Sequence, residues 1–356
     1  MVKEYGYEYN ATINEGIFSL TGWSGTDEKW FGAYALRSGR DALKVIAREY
    51  SNSIVYLPSL CCDSMITPFE TYGCKIVFYP LKKDLTVNFS ALLNKLESIN
   101  GQKLILFYDY FLIPMFCEEQ LIALKRTFRD LIFIKDITHS LLQEKSSEFC
   151  VDYTIASLRK WLAIPDGGLL WENRKLKNTV FLEDSTFAEK RLRAQCMRTE
   201  YFVSANEKVK EQYRQIFSSV SSLLDNQPEP VKMTAYSYEV SIHADWKAVR
   251  QRRAENASIL MDIFSKNKKI TIINEKVTES ALYLPILIKN RDEVQRKLSA
   301  KGIFNTIIWP LREEQTLVCP TAKLVTECML AVPCDQRYDR EDMVYIGNEI
   351  TRMVHE

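Results

Sequence analysis

The chain has 356 residues, 46% of them apolar, which is enough to bury one large core and a smaller one. Its 47 basic and 46 acidic residues leave a formal charge of +1, so no net field draws the protein to nucleic acid or to an anionic membrane. Nine cysteines with no C-x-x-C pair argue against a disulfide framework, and only three histidines (His139, His243 and His355) argue against a His-based site, so no structural metal is predicted.

Residues Met1 to Asn10 alternate charged and aromatic side chains and contain no apolar stretch of the kind a secretory signal needs. No window elsewhere approaches ~18 uninterrupted apolar residues, and the protein is expected in the cytoplasm. From Ile54 onward, β-branched and aromatic runs recur at Ile54–Leu57, Ile76–Tyr79, Leu104–Tyr108 and Leu131–Ile134, then at Tyr153–Ala156 and Leu169–Trp171. Helical periodicity fills Arg40–Tyr50, Met65–Tyr72, Phe89–Ser98 and Glu118–Arg129, the third entered through Asn88 as N-cap. The first four strand starts lie 22, 28 and 27 residues apart, a spacing that suits βαβ crossovers, and the runs are apolar on both faces as buried parallel strands require. A doubly wound, mostly parallel α/β domain is predicted over residues 1–230.

Between Ser185 and Leu224 the pattern is long, charged and helical, and Asp225-Asn226-Gln227-Pro228-Glu229-Pro230 breaks it. Beyond the break come a helix carrying Trp246, Val249 and Ala254 on one side, strands at Lys269–Ile273 and Ala281–Ile288, a helix at Arg291–Lys301 and a last helix from Glu341. These predict a smaller α+β domain over residues 231–356.

The stretch richest in chemistry is Ser157-Leu158-Arg159-Lys160-Trp161, followed by Pro165-Asp166-Gly167-Gly168 and preceded by Lys135-Asp136-Ile137-Thr138-His139. Asp136 ends one predicted strand, Lys160 follows the next, and Ser38-Gly39-Arg40 opens the first long helix. In open α/β sheets ligands sit outside the carboxyl ends of the strands, where helix N-termini offer N–H groups to anions. An amine, a carboxylate and hydroxyl and amide donors together meet the needs of pyridoxal phosphate: Lys160 to hold its aldehyde and move protons, Asp136 to keep its ring nitrogen protonated, and Ser157 with Ser38 and Gly39 to bind its phosphate.

On these same residues the chain resembles the DegT/DnrJ/StrS sugar aminotransferases, within fold type I of the pyridoxal-phosphate enzymes. Ser38-Gly39-Arg40-Asp41-Ala42-Leu43 resembles the family's S-G-T-x-A-L phosphate loop, and Val55-Tyr56-Leu57-Pro58-Ser59-Leu60 its approach to the cofactor-stacking residue. Asp136-Ile137-Thr138-His139 resembles D-A-A-H, Lys160 with Pro165-Asp166-Gly167-Gly168 resembles the lysine with G-E-G-G, and Leu330-Ala331-Val332-Pro333 with Arg340-Glu341-Asp342 resembles the closing pattern. The resemblance implies Lys160 and Asp136 as catalytic residues, with His139, Ser157, Ser38, Gly39, Arg40 and Cys62 completing the cofactor site. It also implies a homodimer acting on a small-molecule amino donor and a carbonyl acceptor such as a keto-sugar.

The chain departs from that pattern at several positions. Arg40 replaces the loop threonine, and it either binds phosphate or turns away. Cys62 stands where an aromatic ring stacks on the cofactor, and Ile155 where the family has its phosphate serine. No G-x-N-x-R segment lies between Glu183 and Trp246. Dehydration or elimination on the same cofactor, cofactor binding without turnover, and an unrelated α/β domain with Lys160 at its surface are the alternatives. Arg312, in Trp309-Pro310-Leu311-Arg312, is a candidate for a substrate carboxylate, whereas Arg250-Gln251-Arg252-Arg253 reads as a solvated helix face.

Overall fold

The computed structural model describes residues 2–11, 32–143, 150–274 and 281–355. The chain opens with β1 (Tyr5–Gly6), β2 (Tyr34–Leu36) and α1 (Gly39–Glu49). It then alternates through β3 (Ile54–Pro58), α2 (Asp63–Thr71), β4 (Lys75–Tyr79), α3 (Phe89–Glu97), β5 (Lys103–Tyr108), α4 (Glu118–Thr127) and β6 (Ile132–Asp136), followed by β7 (Tyr153–Ala156) and β8 (Gly168–Glu172). Each predicted strand and helix of this half is present with ends shifted by a few residues, and Asn88 caps α3 by accepting the Ala91 N–H.

These strands form one seven-stranded sheet in the order β2-β8-β7-β6-β5-β3-β4. The run from β7 to β4 is parallel, and β3 and β6 are buried along their whole length because helices cover both faces. β8 instead pairs antiparallel with both β7 and β2. The link from β7 to β8 holds only a 3₁₀ turn (Leu158–Lys160) and no crossover helix, so the chain returns beside the strand it has just left. The expected parallel arrangement therefore stops at β7.

The charged segment after Ser185 is two helices, α5 (Thr186–Ser204) and α6 (Glu207–Asn226), packed on each other. The chain reverses at Ala205, which adopts a left-handed conformation, and Asn206 then caps α6. Next come α7 (Ala235–His243), α8 (Trp246–Phe264), β9 (Thr271–Ile272), β10 (Leu284–Leu287), α9 (Arg291–Ala300), β11 (Ile303–Phe304), α10 (Glu313–Val318), α11 (Pro320–Cys328), β12 (Met329–Val332) and α12 (Arg340–His355). β12, β10 and β9 make an antiparallel three-stranded sheet, with α8, α9 and α12 packed beside it. β1 pairs in parallel with β11, which ties the start of the chain to this later part. Among the described residues, no helix is long and apolar enough to cross a membrane.

Candidate active site

Asp136 is the last residue of β6, and Ser157 to Lys160 follow directly from β7, its parallel neighbour, so the register brings both to one edge of the sheet. Asp136 is buried, and its Oδ1 accepts the Thr138 N–H at 2.7 Å. Burial pushes its pKa up, while the positive charge of Lys160 and the Thr138 hydrogen bonds pull it back. Thr138 also links the two strand ends, since its Oγ1 accepts the Ser157 N–H at 3.0 Å and its carbonyl accepts Trp161 Nε1–H at 2.8 Å.

Lys160 is half-buried and has no hydrogen-bond acceptor among the described residues, although its charge is felt by both Asp136 and His139. Its position is set by its neighbour Trp161, which is fully buried. The Trp161 carbonyl accepts from Gln336 Nε2 at 2.7 Å and from the Tyr9 hydroxyl at 3.2 Å, and the Arg253 guanidinium lies 4.6 Å from its ring. Lys160 opens on a small cavity lined by Tyr9, Arg253, Tyr283, Thr306, Asp335 and Arg337.

His139 is buried, and its Nδ1 has no hydrogen-bond partner among the described residues. Burial, reinforced by the charge of Lys160, lowers its pKa to about 3, so it is a neutral ring at physiological pH. Phe111 and Trp309 flank it with ring centroids 4.8 and 5.9 Å away, and Tyr108 meets it edge-on at 6.2 Å.

The third part of the site is the loop before α1. Ser38 caps this helix, and the following Gly39 comes against Ser157, where a Cβ on the glycine would sit 3.7 Å from the serine Cβ. The Gly39 and Arg40 N–H groups lie in the first turn, where a helix leaves its donors without internal partners. The Ser157 hydroxyl has no partner among the described residues. Gly168 lets this loop approach, because a Cβ there would lie 2.1 Å from the Ser38 carbonyl carbon. Gly168→Ala is therefore expected to destabilise the fold by about 3 kcal/mol or more, since backbone must move to admit the methyl group. A urea midpoint equal to that of the wild type would refute this packing argument.

Other residues marked in the sequence have different partners. The Ser38 hydroxyl turns inward and donates to Asp41 Oδ2 at 2.5 Å, and Asp41 in turn pairs with Arg37 in a buried bidentate contact. Arg40 pairs through Nη1 with Asp225 at 2.8 Å, which answers the question left by its position in the loop. Cys62 precedes α2 and contacts the Ser64 hydroxyl at 2.8 Å. Arg312 does not reach for a ligand; it is held by Asp63 at 2.7 Å and by Glu70 at 2.6 and 3.1 Å. Arg253 is not on a solvated face but fully buried, donating to the Ala281 and Leu282 carbonyls and to the Tyr9 hydroxyl. Asp166 accepts from the Thr234 N–H, the Thr234 hydroxyl and the Ser237 hydroxyl, which pins the Pro165–Gly168 turn to the start of α7. Tyr9, Trp309, Phe111 and Arg253 escape a reading of the sequence because each meets the site from a distant segment. Trp309 and Arg253 stood within marked stretches, but neither was assigned to the site.

Together, an ammonium and an imidazole nitrogen without partners among the described residues, a buried carboxylate and an amide-lined notch fit pyridoxal phosphate, with Ser157 and the α1 amides better placed for its phosphate than Ser38 or Arg40.

Neither protein-family models nor curated proteins match the sequence. Solved structures do match the fold. PseC of Helicobacter pylori, an aminotransferase of pseudoaminic acid biosynthesis, superposes with a TM-score of 0.65 at 18% identity, over 99% of this chain and 100% of that one. A DegT/DnrJ/EryC1/StrS aminotransferase from Brucella abortus gives 0.61 at 16% identity, over 91% and 86%. Spr1654 of Streptococcus pneumoniae in its PLP form gives 0.63 at 14% identity, over 91% and 87%. The chain thus has the fold of the DegT/DnrJ/EryC1/StrS aminotransferases, a large mostly parallel sheet with a smaller sheet and its helices beyond it.

Proposed function

We propose that the protein is a pyridoxal-phosphate-dependent aminotransferase that moves an amino group from a small amino donor to a carbonyl acceptor, a keto-sugar being the acceptor class favoured by the structural relatives. The observation that carries this reading is the meeting of Lys160, Asp136 and His139 at the carboxyl ends of adjacent parallel strands, with the ammonium of Lys160 unpartnered among the described residues. When bound, pyridoxal phosphate supplies an aldehyde that captures amines and a ring that accepts the electron pair released at the substrate carbon.

The residues divide the remaining work. Lys160 offers the amine that anchors the cofactor and, once released, holds and returns a proton at Nζ. Asp136, desolvated at the end of β6, presents an anionic oxygen to a positively charged ring nitrogen, and its worth rises because the site is dry. His139, neutral and wedged between Phe111 and Trp309, would offer its Nδ1, unpartnered among the described residues, to a polar substituent of the cofactor ring. Trp161, clamped by Tyr9, Gln336 and Arg253, fixes the backbone from which Lys160 extends. A homodimer in the cytoplasm, and a division into residues 1–230 and 231–356, complete the proposal. The seven-stranded and three-stranded sheets fall on either side of that boundary, which supports the division, while the short β1–β11 pair ties the two parts together.

The test is spectroscopic. The purified protein supplied with pyridoxal phosphate is expected to show a visible absorption band, and borohydride reduction followed by peptide mapping should place the added pyridoxyl mass on Lys160. A protein that stays colourless and takes up no cofactor would overturn the proposal.

A further inference from the structure

We infer that Arg159 is an oxyanion-binding residue of the Lys160 cleft, taking the phosphate or carboxylate that Ser38 and Arg40 are not placed to hold. The inference rests on the reading of Lys160 given above. Arg159 directly precedes Lys160 in the 3₁₀ turn after β7 and follows Ser157 by two residues. Among the described residues, no acceptor or carboxylate lies within hydrogen-bond or ion-pair distance of its guanidinium. Its Nε is buried and orphaned among the described residues, while the residue as a whole is half-buried.

A partly desolvated cation without a partner is costly, and guanidinium groups in such places are normally paired. The surrounding charges do not supply that partner. Arg191 and Arg40 both act on Arg159 with like charge, and the carboxylate that opposes them, Glu8, is already bidentate to Arg191 at 2.6 and 3.2 Å. Arg40 in turn spends its charge on Asp225. Burial, and then Arg191, lower the pKa of Arg159 to about 10, which leaves it charged at neutral pH but in an unfavourable field. An incoming oxyanion relieves that field, and it also finds the Ser157 hydroxyl and the first-turn amides of α1, since Gly39 lies against Ser157. The fork of an arginine matches a phosphate or carboxylate in two parallel hydrogen bonds.

Two sources supply such an oxyanion, the phosphate of the cofactor and an acidic group on the substrate, and binding experiments on the full chain separate them. Wild type, Arg159→Gln and Arg159→Lys are titrated with pyridoxal 5′-phosphate and with phosphate-free pyridoxal by absorbance, and with inorganic phosphate by calorimetry before and after cofactor loading. If the cofactor supplies the anion, Arg159→Gln weakens pyridoxal phosphate roughly 10- to 100-fold, the value of a charged hydrogen-bonded contact, and leaves pyridoxal unchanged. If the substrate supplies it, both aldehydes bind Arg159→Gln as they bind wild type, and inorganic phosphate binds the loaded wild type but not the loaded variant. Arg159→Lys, which keeps the charge and loses the fork, falls between in either case and serves as the folding control. Wild-type affinities of Arg159→Gln for pyridoxal phosphate and inorganic phosphate alike would overturn the inference. Failure of wild type to take up either aldehyde would sink the reading of Lys160 instead, and the inorganic phosphate titration of the unloaded chains would still decide the role of Arg159.

Discussion

Lys160→Ala is expected to reduce transamination by ~10⁴-fold or more, the upper end of what one acid–base group contributes, with loss of the covalent anchor added to it. No other described amine stands in the same relation to Asp136 and His139, whose pKa values both respond to the charge of Lys160. Trp161, which carries the contacts to Tyr9, Gln336 and Arg253, is untouched by the change, so the variant should fold. Its far-ultraviolet circular dichroism should match that of wild type, and borohydride should leave no pyridoxyl mass on any peptide. A small primary amine added to the assay should restore part of the rate, because the truncated side chain leaves room beside the site. Wild-type turnover by Lys160→Ala would end the proposed chemistry.

Asp136→Asn is expected to keep the cofactor and to lose kcat by roughly 10²- to 10³-fold, the cost of removing one preorganised charged partner in a dry site. The amide retains the shape of the carboxylate and can still accept the Thr138 N–H through its oxygen, but it no longer presents an anion. The same substitution carries an opposite prediction for the unloaded protein. Because burial raises the pKa of Asp136 above its ordinary value of 3.8, the folded chain binds this proton more tightly than the unfolded chain. The contribution to stability is therefore fully present below pH 3.8 and is lost as pH rises through the folded value, so at neutral pH the native carboxylate is a burden. Asp136→Asn should raise the melting temperature of the cofactor-free protein at pH 7 and lose that advantage in acid. Urea titrations at pH 3.5 and pH 7 measure the difference. Equal stability of the two proteins at both pH values, or full activity of the variant, would contradict the role given to Asp136.

Much of the site was legible because its parts are local. An acid ending an apolar run, a lysine just past the next run and a serine-glycine pair before an amphipathic helix are all written within short windows, and the sheet then sets them side by side. The partners of charged side chains are not local. Arg312 and Arg253 are both arginines in later segments, yet one ties α10 to Asp63 and Glu70 on α2 while the other is buried against Trp161. Nothing in their flanking residues distinguishes the two fates. Arg40 and Ser38 likewise sit in the predicted loop but are claimed by Asp225 and Asp41. The aromatic enclosure of His139 draws on Phe111 and Trp309, which are far apart in the chain.

By itself the sequence determined the alternation of strand and helix from Ile54 to Asp136, the Asn88 cap of α3, and the placing of Asp136 and Lys160 at strand ends, since each follows from side-chain periodicity and local backbone preference. Tertiary structure alone decided that β8 turns back antiparallel, that β1 joins β11, and which carboxylate satisfies which arginine, leaving Arg159 without one among the described residues. Strand pairing and ion pairing are both contests among groups distant in the chain, and only the folded arrangement sets the distances on which they depend.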